Sequence, residues 1–159
     1  KRFDKEYIQQ GNYPNIESHF DLCLFNTFKS YIDNSTFFPR KYNVYSDSRG
    51  LFLELIRSGS KGQSSISITK KNEIRGNHFH TRKCERFSVI SGKAKIQIRE
   101  ILSDKIIEFF LDGDNTSYVD IPIWFTHNIT NIGDEDLITA FWINEHYEEI
   151  KSDTYIEIV

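Results

Sequence analysis

Residues 85–99 read Glu-Arg-Phe-Ser-Val-Ile-Ser-Gly-Lys-Ala-Lys-Ile-Gln-Ile-Arg, and from Lys93 to Arg99 polar residues alternate strictly with Ala94, Ile96 and Ile98. Side chains along a strand point to opposite faces in turn, so this run is a β-strand with one wet face and one dry face. Ser91-Gly92 in front of it has the composition of a hairpin turn. Working outward, short β-branched or aromatic runs separated by Gly, Asn, Asp and Ser recur at 51–57, 64–69, 74–80, 105–111, 117–121, 126–131 and 136–144. That many short strands must close into a barrel or sandwich to hide their edges, and a double-sheet jelly roll is the commonest solution. The fold expected is mainly β, a jelly-roll barrel. One α-helix is expected in front of it. Phe20, Leu24, Phe28 and Tyr31 or Ile32 recur at helical spacing between Asn15 and Asp33, and Asp33-Asn34-Ser35 has turn character.

Composition narrows the function classes. A chain of 159 residues fits one domain, and its mass of 18.8 kDa allows roughly 70% of the unfolded surface to be buried. Twenty Lys and Arg against 23 Asp and Glu leave a net charge of -3, which gives no general attraction to nucleic acid or to an anionic membrane. No apolar run approaches the ~20 residues that span a bilayer, and the opening KRFDKEYIQQ is too polar for a secretory signal, so a cytoplasmic protein is expected. Cys23 and Cys84 are too few for a disulfide framework and are expected to be reduced thiols. The chain has no Met at all, so residue 1 is read as a cut point in something longer.

The chemistry concentrates in Arg75-Gly76-Asn77-His78-Phe79-His80. On a strand, His78 and His80 point to the same face. Glu85 follows after Thr81-Arg82-Lys83-Cys84, a connection long enough to carry the chain to a neighbouring strand and bring a carboxylate beside the two rings. His127 is placed to add a third imidazole, with Pro122 stiffening the approach and Trp124-Phe125 available to wall a cavity. Two or three His with one carboxylate and room for water is a donor set for catalytic Zn, Fe, Mn or Ni rather than for a closed structural site. His19 and His146 read as surface or packing residues.

The spacing His78-x-His80-x4-Glu85-x6-Gly92, followed by Pro122-x4-His127-x3-Asn131, resembles both motifs of the cupin superfamily, whose jelly-roll barrel holds a metal inside. Two positions depart from it: Asn72 stands where the first motif normally opens with Gly, and Trp124 where the second normally has Gly. Asp47-Ser48-Arg49-Gly50-Leu51-Phe52-Leu53-Glu54 is similar to the strand that, in sugar-nucleotide epimerases of the RmlC type, presents Arg and Glu to a nucleotide diphosphate. A closer resemblance, from about residue 20 to 159, is to the C-terminal domain of the CapF (WbjC) family of capsular polysaccharide enzymes. It rests on RGNHFHTRKCERFSVISG (75–92), VDIPIWFTHNITNIG (119–133), LITAFWINE (137–145) and FNTFKSY (25–31).

That resemblance implies a cupin domain over residues 36–159, with residues 1–35 as a helical arm left from the connection to a missing short-chain reductase domain. No glycine-rich dinucleotide fingerprint occurs in the chain, so no NADPH site is expected here. It also implies a metal-dependent epimerase, with Zn as the metal, inverting carbon 3 of a UDP-linked 4-keto-6-deoxy-N-acetylhexosamine on the way to UDP-N-acetyl-L-fucosamine. The alternatives are another cupin enzyme, either a metal-free sugar ketoisomerase or an Fe or Mn dioxygenase, and a non-catalytic dimerisation and sugar-binding module. A homodimer is expected, as closed two-fold pairs are common among such barrels. The implied ligands are His78, His80, Glu85 and His127. In the metal-free epimerases the residue matching His78 is the base; with His78 on the metal, Lys83, Tyr118 or a hydroxide on the metal is left for proton transfer. Arg49 and Arg75 suit a diphosphate because a guanidinium fork matches phosphate oxygens, Glu54 shares that strand pattern, and Phe52 and Trp124 are candidates to stack on uracil or sugar.

Overall fold

The structure is a computed structural model describing residues 1–59 and 61–159. A π-helical turn at Asp4–Gln9, helix α1 (His19–Ser30) and the short α2 (Asn34–Phe37) precede the strands. These are β1 (Val44–Asp47), β2 (Gly50–Arg57), β3 (Gln63–Thr69), β4 (Ile74–Phe79), β5 (Glu85–Ser91), β6 (Lys93–Glu100), β7 (Ile106–Asp112), β8 (Tyr118–Ile121), β9 (Phe125–Asn131), β10 (Leu137–Ile143) and β11 (Tyr155–Ile156). Two antiparallel sheets face each other, in the orders β1-β2-β3-β10-β5-β8 and β11-β4-β9-β6-β7, which is the cupin jelly roll.

The alternating run behaves as its pattern requires. Ala94, Ile96 and Ile98 of β6 are buried and meet Phe87 and Val89 of β5, Leu111, Ile121, Ile129 and Leu137 in one core between the sheets. Gly92 makes the β5-β6 turn with φ 88°, a left-handed conformation that a Cβ disfavours.

The inner face of β3 is polar. On β3 it is Gln63, Ser65, Ser67 and Thr69 that point inward and are buried, while Ile66 and Ile68 face out. Hydrogen bonds satisfy this inner wall: Gln63 Nε2 donates to Ser65 Oγ (3.3 Å), and Thr69 Oγ1 accepts from Arg75 Nε (3.1 Å). The register of β2 against β3 sets Phe52 opposite Ser67 and Glu54 opposite Ser65, so both share this inner face.

One helix, α1, lies within the span Asn15–Asp33 where a single helix is expected, but its buried side chain is Phe25, while Phe20, Leu24 and Tyr31 are exposed. Ser18 starts α1 by accepting from Asp21 N at 3.1 Å, and Asp33 starts α2 by accepting from Ser35 N at 3.0 Å. Asp33-Asn34-Ser35, read as a turn, is thus the start of a second short helix. Strands β1 and β11 were not legible in the sequence: all four residues of β1 are exposed and β11 is two residues long, so neither carries a burial pattern. The N-terminal segment packs through aromatic rings, with Phe25 at 5.1 Å from Phe3, 5.3 Å from Tyr7 and 6.0 Å from Tyr13. Tyr13 N donates to Arg57 O (3.0 Å), which ties this cluster to the end of β2.

Candidate metal centre

Four chemistry-bearing residues arrive from three strands. His78 lies on β4 and His80 directly after it, Glu85 opens β5, and His127 lies on β9. Strands β4 and β9 pair with His78 opposite His127. Because β4 and β5 belong to different sheets, the connection 81–84 crosses the barrel and brings Glu85 to the imidazoles from the other side. One ligand atom from each of His78, His80, Glu85 and His127 lies within 4.8 Å of all the others. Gly76 permits this approach: its φ is 101°, and a Cβ there would sit 2.6 Å from His127 O.

The electrostatics fit a cation. His127 Nε2 is 3.0 Å and His80 Nε2 3.4 Å from Glu85 Oε2. Yet these three atoms are buried with no hydrogen-bond partner among the described residues. Orphaned buried polar atoms are costly, and here they are three of the four donors that would ligate a metal. The remaining ring nitrogens face carbonyls, His80 Nδ1 that of Asp153 and His127 Nδ1 that of Phe125 at 3.3 Å. A carbonyl only accepts, so in the neutral form of both rings Nδ1 carries the proton and Nε2 offers its lone pair to the site. Burial raises the Glu85 carboxyl, but the His127 and His80 rings outweigh it and hold the group below the usual carboxylate range. Burial and the neighbouring His127 push His78 down to about 4, so it is neutral at pH 7. Burial works against protonation of His80, but contact with Glu85 prevails and its pKa is raised.

The centre opens into a cleft of about 1790 Å³. Arg49, Phe52, Glu54, Arg75 and Lys83 line it together with His78, His80 and Glu85. Arg49 Nη2 is 2.6 Å from Asp47, and Arg75 Nη2 is 3.9 Å from the same carboxylate, so the two guanidinium groups stand together at the wall. Glu54 is held by Arg57 at 2.9 Å, and Phe52 lies 6.5 Å from Phe141. Lys83 is buried, its ammonium donates to Ser152 O, and burial lowers its pKa.

Two residues singled out in the sequence lie elsewhere. Tyr118 is exposed on β8 with the Arg86 guanidinium 3.9 Å above its ring. It is absent from the residues lining the cleft. Trp124 is half-exposed and stacks on Phe79 at 5.8 Å, also away from the lining. Both motif departures adopt left-handed backbone, Asn72 with φ 64° and Trp124 with φ 63°. The position that normally takes Gly therefore keeps the conformation Gly prefers. Asn tolerates it through its short polar side chain. His146 Nε2 contacts Ser58 O at 2.7 Å, and His19 is exposed beside Cys23. Both cysteines are free thiols.

The sequence reading missed Asp153. Its side chain is fully buried and accepts from Thr81, Arg82 and Lys83, the connection between the His-bearing and Glu-bearing strands. It stands 73 residues from His80 in a loop without periodicity, and no local signal marks it.

Comparison with known proteins places this architecture. The family described as the polysaccharide biosynthesis C-terminal domain matches residues 45–155. The chain belongs to that family. Among relatives of this C-terminal domain, the UDP-2-acetamido-2,6-beta-L-arabino-hexul-4-ose reductase of Pseudomonas aeruginosa is 35% identical over 143 residues, covering 88% of this chain and 37% of the relative. The capsular polysaccharide assembling protein CapF of Staphylococcus aureus superposes with a TM-score of 0.89 at 38% identity, over 99% of this chain and 42% of CapF. The chain thus spans less than half the length of either. The oxalate decarboxylase of Lactobacillus farciminis, at 20% identity and a TM-score of 0.57 over 65% of this chain and 31% of that one, shares the fold. Among the described residues, no helix of this polysaccharide biosynthesis C-terminal domain is long and apolar enough to cross a membrane.

Proposed function

We propose that this chain is a metal-dependent epimerase domain that inverts carbon 3 of a UDP-linked 4-keto-6-deoxy-N-acetylhexosamine during capsular polysaccharide synthesis. The observation that carries the reading is the convergence of orphaned ligand atoms on His80, Glu85 and His127, two of which, His80 and Glu85, line the same cleft as Arg49 and Arg75. The name of the Pseudomonas relative, a reductase of a hexul-4-ose attached to UDP, supports a 4-keto sugar nucleotide as the substrate class.

His78, His80, Glu85 and His127 would hold the metal, and three neutral imidazoles with one carboxylate suit Zn. A divalent cation there supplies Lewis-acid stabilisation for the negative charge that develops when a proton leaves the carbon beside a ketone. The chain's own residues do the rest. Arg49 and Arg75 bind the diphosphate with paired guanidinium donors. Phe52 gives the sugar an apolar contact beside the polar wall of β3, and Glu54, held by Arg57, bounds that wall. Lys83, which lines the cleft with His80 and Glu85, is the proton-transfer group, and burial lowers its pKa, which eases proton exchange at its amine. Tyr118 has no access to the cleft and takes no part.

The chain pairs as a homodimer through the outer face of the first sheet. Leu51 and Leu53 of β2, Ile66 and Ile68 of β3 and Ile138 of β10 form an apolar row there, with Trp142 47% exposed beside it. Apolar rows on a sheet face call for a cover. Residues 1–35 connect this domain to the reductase domain of the longer protein, and the pair works in the cytoplasm, where the exposed thiols of Cys23 and Cys84 stay reduced.

Incubation of the UDP-4-keto sugar with the zinc-loaded chain in heavy water tests the reading. Deuterium is expected at carbon 3, seen by mass spectrometry and by loss of the proton resonance. No incorporation by metal-loaded protein would remove the epimerase assignment.

A further inference from the structure

The four ligands come from two sheets, so their spacing depends on the path of residues 81–84, which belong to no strand. One side chain accepts hydrogen bonds from three residues of that path. Asp153 Oδ1 accepts from Thr81 N (3.2 Å) and Thr81 Oγ1 (2.6 Å), and Oδ2 accepts from Arg82 N (3.0 Å) and Lys83 N (3.1 Å). The Arg82 guanidinium stands 3.6 Å from Oδ1, and the carboxylate is fully buried. The same residue holds a ligand through its main chain, since Asp153 O accepts from His80 Nδ1. Asp153 adopts φ 48°, a left-handed backbone conformation. The flanking residues secure the loop: Ser152 O accepts from the Lys83 ammonium, and β11 pairs Ile156 with His78 and Tyr155 with Phe79.

We propose that Asp153 is the positioning residue of the metal centre. Its carboxylate sets the course of 81–83, and so where Glu85 enters the site, while its carbonyl fixes the tautomer and plane of His80. The inference rests on the metal reading above, and it adds a residue distant in sequence from every ligand. Partners of this kind, behind the ligands, usually change metal affinity by about 10–100-fold when lost. A part confined to stability would leave the geometry of the bound metal unchanged.

The test uses the full chain stripped with a chelator, then titrated with Zn(II) against a chromophoric competitor and with Co(II) followed by its visible absorption. Asp153→Ala is expected to weaken Zn(II) binding by about 10–100-fold and to shift the Co(II) bands. Asp153→Asn keeps the shape but turns an amide toward main-chain donors, and should fall between wild type and Asp153→Ala. Circular dichroism reports whether each variant is folded. A folded variant with wild-type affinity and an unchanged Co(II) spectrum, however reduced its melting temperature, overturns the assignment. If the wild-type chain itself takes up neither ion, the metal reading fails first, and the two failures are told apart.

Discussion

His127 Nε2 lies 3.0 Å from Glu85 Oε2, although the two residues belong to strands in opposite sheets and neither atom makes a hydrogen bond among the described residues. Polar groups of the two sheets meet here without satisfying one another. A cation there would link β4, β5 and β9 and make stability depend on the metal.

The first prediction follows from that linkage. A ligand present at about 100 times its Kd stabilises the folded state by about 2.7 kcal/mol, and at about 1,000 times by about 4.1 kcal/mol. Chelation should therefore lower the melting temperature by several degrees, with recovery on adding Zn(II). Glu85→Gln should abolish the difference between chelated and loaded protein. Scanning calorimetry of both proteins, with and without chelator, reads this directly.

Metal affinity should depend on pH through His80 more than through His78. The raised pKa of His80 means that metal must displace its proton near neutrality, whereas His78, at about 4, is neutral throughout that range. The linkage signs for the metal-free protein oppose each other. The raised pKa of His80 contributes stability that is present below the unfolded value of about 6.5 and lost as pH rises through the folded value. The lowered pKa of His78 contributes stability that is present above about 6.5 and lost as pH falls toward 4. Affinity should thus fall from pH 7 to 5 with uptake of about one proton, measured by competition titration at each pH.

Substitutions in the cleft should separate binding from proton transfer. Arg75→Ala removes a largely buried guanidinium (16% exposed) from the proposed diphosphate site and should raise KM about 10-fold or more with a smaller effect on kcat. Arg75→Lys should recover little, because an ammonium lacks the planar fork. Lys83→Met should leave sugar-nucleotide binding intact and reduce hydrogen exchange at carbon 3 by about 10²–10⁴-fold. Tyr118→Phe should change neither. Exchange rates and calorimetric binding separate these cases.

Backbone geometry makes its own prediction. Gly76→Ala puts a methyl 2.6 Å from His127 O at φ 101°, so it should displace β9 from β4 and weaken metal binding as well as stability. At Asn72, φ 64°, Gly should be tolerated within about 0.5 kcal/mol, whereas Val should cost about 1–2 kcal/mol. Chemical denaturation of the four proteins, wild type included, tests the ordering.

The outer apolar row gives the last prediction. Ile68→Lys on the outer face of β3 should yield a monomer by light scattering at micromolar concentration while preserving the fold. Ser67→Ala, buried on the inner face of the same strand, should leave the dimer intact.

Much of this was legible in the chain itself. Strict alternation from Lys93 to Arg99 sets an inner and an outer face for any strand it forms, because the side-chain period is two. The spacing of His78 and His80 likewise puts both rings on one side. Tertiary structure alone decided which way β3 faces. Its inner wall is Gln63, Ser65, Ser67 and Thr69 rather than Ile66 and Ile68, since a strand beside an open cleft hydrates or hydrogen-bonds its inward side chains instead of packing them. It also decided that Lys83 faces the cleft and Tyr118 the surface, and that Asp153 stands behind His80 and the connection 81–83. Local pattern reports the environment averaged along one strand, but contacts between residues 70 positions apart depend on how two sheets close, and no periodicity encodes that.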